Sequence, residues 1–249
     1  RIAPNRPSPF REGEIMRVVL TGASGQLGAY LLDRLAEEDH EVIAWSGSST
    51  GGRGSIPFST VDLADPAALQ SALEAARPRA ILHAAAISRA DVVLREPDRA
   101  ARINVEATRI LAHWCAKHSA RLIYTSSDLV FSGSRPWWRE DDPTEPVMRY
   151  GVTKRGAEPF VTGCPEGLVV GLSLMYGSSR AGQPTCHDLI LEALSRGRPQ
   201  SLFTDEFRTP LPYAAAADAL VRLLDSSFRG VVHLGGSERL SRYQMTLRA

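Results

Sequence analysis

The chain has 249 residues, 43% of them hydrophobic, enough for one large domain with a sizeable core. Its 29 lysines and arginines nearly balance 28 aspartates and glutamates, for a formal net charge of +1, which argues against nucleic acid or an anionic membrane as partner and for a small molecule. No apolar run approaches the roughly 20 residues of a spanning helix. The three cysteines, Cys115, Cys164 and Cys186, are far apart with no paired ligand spacing, so no metal site is expected and a reducing, cytoplasmic setting is.

Residues 1–15 are rich in arginine and proline and lack the apolar centre of a secretory signal, so they are expected to be a leader outside the fold, with Met16 opening the domain. From Arg17 onward, short β-branched runs alternate with amphipathic stretches, the pattern of βαβ units around a parallel sheet. Strands are predicted at 17–21, 41–45, 80–83, 121–126, 168–172 and 231–234, and helices at 26–38, 66–77, 98–118, 150–161, 187–195 and 214–225. Asp65 before Pro66 supplies a cap and a first-turn residue for the second helix. The expected fold class is α/β, a Rossmann-like doubly wound parallel sheet forming a single domain over 16–249. Two long irregular segments, 46–54 and 132–149, are expected to wall the ligand site, because such sheets hold ligands in loops beyond the strand ends. Within the second, Trp137 and Trp138 are read as covering the core edge rather than stacking on substrate. The stretch 241–249 opens like a capped helix and stops after about two turns, so the C-terminus is expected to be shortened.

The run Thr21-Gly22-Ala23-Ser24-Gly25-Gln26-Leu27-Gly28 follows a predicted strand and opens a predicted helix. Its three glycines let the backbone from Gly22 through Ser24, Gly25, Gln26, Leu27 and Gly28 approach a dinucleotide pyrophosphate, which the positive helix end favours. Such a run alone is a weak signal; the strand before it and the helix after it give it weight. An acid that would bind a ribose 2′-hydroxyl is missing from 42–61, where Ser46, Ser48 and Arg53 offer partners to a 2′-phosphate. NADP(H) is therefore expected in preference to NAD(H).

Tyr150 and Lys154, four residues apart, share one helix face, so the ammonium is expected to draw a phenol of pKa about 10 toward neutrality. The strand 121–126 runs into Ser127, placing the hydroxyls of Ser126 and Ser127 at a strand's carboxyl end, a position suited to binding a carbonyl.

In this order, Gly22 to Gly28, Asp62-Leu63, His83-Ala84-Ala85-Ala86, Asn104, Ser126-Ser127-Asp128 and Tyr150-x-x-x-Lys154 resemble the extended short-chain dehydrogenase/reductases, most closely the dTDP-4-dehydrorhamnose reductase group. The resemblance spans about 16–246, and the segments 136–143, 203–210 and 233–241 also resemble that group. It implies that Ser127 bonds the reacting carbonyl, Tyr150 delivers the proton, and Lys154 bonds the nicotinamide ribose and stabilises tyrosinate. Asp62 and Leu63 become adenine contacts, and Ala84, Ala85 and Ala86 flank the cofactor; Asn104 matches a family asparagine on a central helix. Substrate-binding elements then fall mainly within 174–249, the substrate is a nucleotide sugar, and a homodimer is implied.

Leu129 stands where a dehydratase of this family carries a second acid, which disfavours water elimination. Gly171 stands where the group commonly has an arginine, and His83 reads as a satisfied strand-end histidine rather than a base. The leading expectation is NADPH-dependent reduction of a 4-keto nucleotide sugar. An epimerase or another carbonyl reductase on the same scaffold, and a non-catalytic NADP-binding regulatory subunit, stand as alternatives.

Overall fold

The computed structural model describes residues 15–248, so the leader expected at 1–15 lies, apart from Ile15, outside the described residues. In chain order the elements are β1 (Arg17–Thr21), α1 (Gln26–Leu35), β2 (Glu41–Ser46), β3 (Gly52–Arg53), β4 (Ile56–Thr60), α2 (Pro66–Ala76), β5 (Ala80–His83), α3 (Ala90–Arg95) and α4 (Pro97–Ala101). They continue with α5 (Ala107–His118), β6 (Arg121–Ser127), α6 (Arg149–Thr162), β7 (Gly167–Leu172), β8 (Met175–Tyr176), α7 (Cys186–Ser195), β9 (Phe207–Arg208) and β10 (Leu211–Pro212). The last are α8 (Tyr213–Arg222), β11 (Gly230–Leu234), β12 (Leu240–Ser241) and α9 (Arg242–Thr246).

The main sheet runs β11-β7-β6-β5-β1-β2-β4-β3, parallel throughout except for the β3–β4 edge pair. The chain winds outward from β1 in both directions, to β2 on one side and β5 on the other, so the crevice above β1 is the topological switch point of a doubly wound sheet. Thr21 and His83 are paired there.

Helices cover both faces of the sheet, which is why its strands are nearly continuous apolar runs. Along β1, Val18 and Leu20 face a core with Leu31, Leu35, Leu82 and Leu220, while Val19 faces the opposite core with Leu73, Ile81, Leu111 and Leu122. This alternation is the period-two geometry of a strand. Asp65 caps α2 as expected, accepting from Ala67 N at 2.9 Å and Ala68 N at 3.2 Å.

The predicted helix over 98–118 is interrupted. α4 gives way to a π-helical turn, Arg102–Glu106, before α5 begins. The elements not anticipated include β4 and α3, besides the two-residue strands. β4 contains Pro57, which breaks the strand signal but is tolerated because this part of the strand faces only the two-residue β3; α3 is too short to show periodicity. Beyond β8 the chain makes two small sheets, β8 with β10 and β9 with β12, and these sit with α7 and α9 as a C-terminal lobe.

Candidate active site at the carboxyl ends of the strands

The glycine loop is shaped by close approaches. Gly22 has φ +73°, and a Cβ there would lie 2.8 Å from the Ala85 backbone; one on Gly28 would lie 2.1 Å from Gly22 O. Only glycine lets α1 start this near β1 and the Ala84–Ala85 turn. Gly25 caps α1 without a side-chain bond, and the first turn carries no acid. The opening amides of α1, at Gln26, Leu27 and Gly28, have no acceptor within the helix, so they form an anion-binding end. This cradle fits a dinucleotide pyrophosphate.

Several expected side chains are committed elsewhere. The Gln26 amide donates to Ser179 Oγ at 2.8 Å and Gln183 O at 2.6 Å and accepts from Arg180 N at 2.9 Å, so it fastens the segment after β8 onto α1. Arg53 grips Asp33 with Nε and Nη2 at 2.5 and 2.7 Å and donates through Nη1 to Arg180 O at 2.8 Å. Arg53 and then Arg180 hold the Asp33 carboxyl below the usual range against the opposing effect of burial. Ser46, buried, donates to Ser49 O at 2.5 Å. The guanidinium and hydroxyl expected to meet a 2′-phosphate thus have partners within the chain. Ser24 is half-buried within the loop. Asp62 is exposed and accepts from Ala64 N at 2.9 Å, while Leu63 is buried against the α2 side of the core.

Beneath the loop, His83 is fully buried, with Nδ1 2.7 Å from Thr21 Oγ1 and Nε2 2.9 Å from Thr108 Oγ1. Thr108 gives its only proton to Asn104 O at 2.9 Å, so Nε2 must be the donating nitrogen and Nδ1 accepts from Thr21. Thr21 Oγ1 then accepts from Ala85 N at 3.2 Å. Burial, reinforced by Lys154, pushes His83 down to about 3, so it is a neutral brace and not a base. Asn104, on the π-helical turn, bonds both Ile87 N and Ile87 O and donates to Thr153 Oγ1 at 2.9 Å, tying the loop after β5 to α6.

Ser127 ends β6, and Tyr150 and Lys154 lie one turn apart at the start of α6. Gly151 brings these elements together: a Cβ there would lie 2.1 Å from Leu129 O, so the first turn of α6 rests directly on the backbone just past Ser127. Ser127 Oγ accepts from Leu129 N at 3.2 Å and donates to Asp128 Oδ1 at 3.4 Å.

The electrostatics correct one expectation. The Lys154 ammonium lies 4.2 Å over the Tyr124 ring and 6.0 Å from the Tyr150 ring centre. Burial, and then the Asp128 charge, push Tyr150 up to about 12 rather than toward neutrality. Burial drives Lys154 down to about 7, opposed by Glu158. Sharing a helix face did not bring the ammonium onto the phenol. Glu158, one turn beyond Lys154, accepts from Ser126 Oγ at 2.5 Å, and burial pushes its carboxyl up. Neither Gly151 nor Glu158 was singled out from the sequence, although Glu158 continues the four-residue spacing of Tyr150 and Lys154.

Trp137 is exposed, whereas Trp138 stacks on Phe131 with ring centres 4.9 Å apart and Arg135 over its other face. Only Trp138 covers the core edge. Gly171 lies beneath His233 of β11, whose Cδ2 would be 3.0 Å from an added Cβ. In the C-terminal lobe a cleft of about 470 Å³ is lined by Tyr176, His187, Leu211, Gly236, Met245 and neighbouring residues. Among the described residues no His, Cys, Asp and Glu side chains gather as for a metal ion, and no helix is long and apolar enough to cross a membrane.

A family model described as the RmlD substrate binding domain matches residues 16–248. The chain belongs to this family of extended short-chain dehydrogenase/reductases. The chain is 32% identical over 238 residues to methionine adenosyltransferase 2 subunit beta of Pongo abelii, covering 92% of this chain and 70% of that protein. It is 31% identical over 222 residues to a probable dTDP-4,6-dihydroxy-2-methyloxan-3-one 4-ketoreductase of Streptomyces antibioticus, covering 88% and 70% respectively. Its fold superposes with a TM-score of 0.83 on dTDP-4-dehydrorhamnose reductase from Bacillus anthracis in complex with NADP, at 25% identity, covering 94% of this chain and 79% of that one. Membership in the RmlD family accounts for the order of motifs from Gly22 to Lys154.

Proposed function

We propose that this RmlD-family protein reduces the 4-keto group of a nucleotide-activated deoxysugar, with Ser127, Tyr150 and Lys154 as its catalytic residues. The opening amides of α1 would hold the pyrophosphate of a nicotinamide dinucleotide, which in its reduced form would supply the hydride. Ser127 turns its hydroxyl from Asp128 to the substrate carbonyl. Tyr150, protonated across the neutral range, donates to the carbonyl oxygen as it gains charge. Lys154, buried one turn away, holds the cofactor ribose and offsets charge developing on the phenol. Leu129 after Asp128 leaves no second acid for dehydration. The observation that carries the reading is the seating of Tyr150 directly on the Ser127 turn through Gly151, beside a glycine cradle shaped for a dinucleotide. The ketoreductase and NADP-bound reductase relatives support it.

The cofactor is NADPH in preference to NADH, because no carboxylate lies along 42–61 to repel a 2′-phosphate. Asp62, Leu63 and Ala84–Ala86 line its path, and the nucleotide sugar enters against the C-terminal lobe within 174–248. The protein works as a cytoplasmic homodimer, a state that light scattering reads directly. Stoichiometric loss of NADPH absorbance with dTDP-4-dehydrorhamnose is the expected result; conversion without net cofactor loss would make it an epimerase.

The subunit-beta relative favours a second reading, an NADP-binding subunit of an enzyme complex. Stable association with a methionine adenosyltransferase catalytic chain, together with no turnover of any keto sugar, would establish it instead.

A further inference from the structure

Asp128, next to Ser127, joins the catalytic turn to the C-terminal lobe. Its carboxylate receives the Ser127 hydroxyl at 3.4 Å, the Ser173 hydroxyl at 3.0 Å, and both Nε, at 2.7 Å, and Nη2 of Arg208. This two-pronged grip is the strong form of a charge-assisted pair, and the Arg208 side chain is only 15% exposed. Arg208 lies on β9, paired with β12. Its Nη1 is 3.7 Å from Glu206, which also takes Arg242 Nε at 2.9 Å from the first residue of α9. Thr209, the next residue, donates to Ser173 Oγ at 3.1 Å. A run of alternating charge, Arg242–Glu206–Arg208–Asp128, therefore reaches from α9 to the residue beside Ser127. On its other side Asp128 acts on Tyr150, which also faces Lys154 of its own helix and Tyr124 of β6.

We propose that Arg208 is a positioning residue for the chemical step: its guanidinium clamps Asp128 to the C-terminal lobe and so fixes the turn that carries Ser127 and supports Tyr150. This rests on the reductase reading. Of the four donors to Asp128, Ser127 makes the longest bond, so it is the one released to a substrate carbonyl while Arg208 keeps the carboxylate satisfied. Without Arg208, Asp128 competes for the Ser127 proton and stands uncompensated beside Tyr150.

The test is steady-state reduction of dTDP-4-dehydrorhamnose by the full chain with NADPH, across pH, for wild type, R208M, D128N and the double variant. R208M should lower kcat on the order of 10- to 100-fold, as misplacement of a reacting group does, with NADPH affinity unchanged. Its alkaline limb should move to higher pH, that of D128N to lower pH, and the double variant should follow D128N. A rise in KM alone, with kcat and the alkaline limb as in wild type, would make Arg208 a substrate contact and overturn the clamp; so would displacement of both limbs in one direction. Should R208M fail to fold, R208K, which keeps the charge but loses the two-pronged grip, carries the same readings at smaller amplitude. Absence of wild-type turnover would refute the reductase reading and not the clamp. The clamp is then judged by Tyr150 ionisation, read as tyrosinate absorbance of each chain minus its Tyr150→Phe counterpart, with the same opposite displacements for or against it.

Discussion

Burial moves Tyr150 and Lys154 in opposite directions from their ordinary values, and both shifts favour the uncharged form. A phenol pushed up to about 12 stays protonated across the neutral range and ionises only in strong alkali, so Tyr150 serves reduction better than it would serve as a base. Tyr150→Phe is expected to lose about 10²- to 10⁴-fold in turnover while NADPH binding, read by fluorescence titration, stays near native; retained turnover would remove Tyr150 from the mechanism. For Lys154 the sign follows from a folded value of about 7 against 10.5 in the unfolded chain. The unfolded state holds the extra proton between these values, so the charged lysine destabilises the fold below pH 7 and the penalty fades as pH rises toward 10.5. Denaturant melts should therefore show Lys154→Met gaining most over wild type below pH 7, with the gap closing by pH 10.5.

Among elements, the join between α6 and the end of β6 depends on Gly151. A methyl there would overlap Leu129 O, so Gly151→Ala must push α6 away from Ser127. A displacement near 1 Å is enough to cost about 10²-fold in rate; kcat should fall by that order while NADPH affinity, set mainly at α1, changes little. The main strands and the site pattern were legible because β1, β5 and β6 are apolar on both faces and the Gly22–Gly28 and Tyr150–Lys154 spacings follow helix and turn geometry. What stayed hidden depends on contacts distant in sequence. Arg53 looked free for a phosphate because its partner Asp33 lies on another element, and Gly151 looked like any helix residue because Leu129 approaches it from outside the helix. The break at Arg102–Glu106 carries no glycine or proline to announce it; its evident tertiary correlate is Asn104, whose side chain bonds Ile87 and Thr153.

On the scale of the whole molecule, the glycine cradle and the C-terminal lobe are one assembly, joined by Gln26, Tyr30 and Asp33 to the segment after β8 and by Asp128 to β9. A cofactor held above β1 should stabilise this assembly against unfolding by about 2.7 kcal/mol at a hundredfold excess over its Kd, seen as a rise in Tm with NADPH that NADH reproduces only at higher concentration. An equal rise with both at equal concentration would remove the NADPH preference.

The Gln26 bonds to Ser179, Arg180 and Gln183 span more than 150 positions of chain. On the ribosome, the glycine loop is therefore made well before the segment that braces it. Until the stretch past β8 emerges, the first helix stands uncovered and the dinucleotide site lacks its final support. A nascent chain stalled before residue 178 should retain less NADPH than one extended past the C-terminal lobe, so cofactor binding is tied to the emergence of the segment after β8.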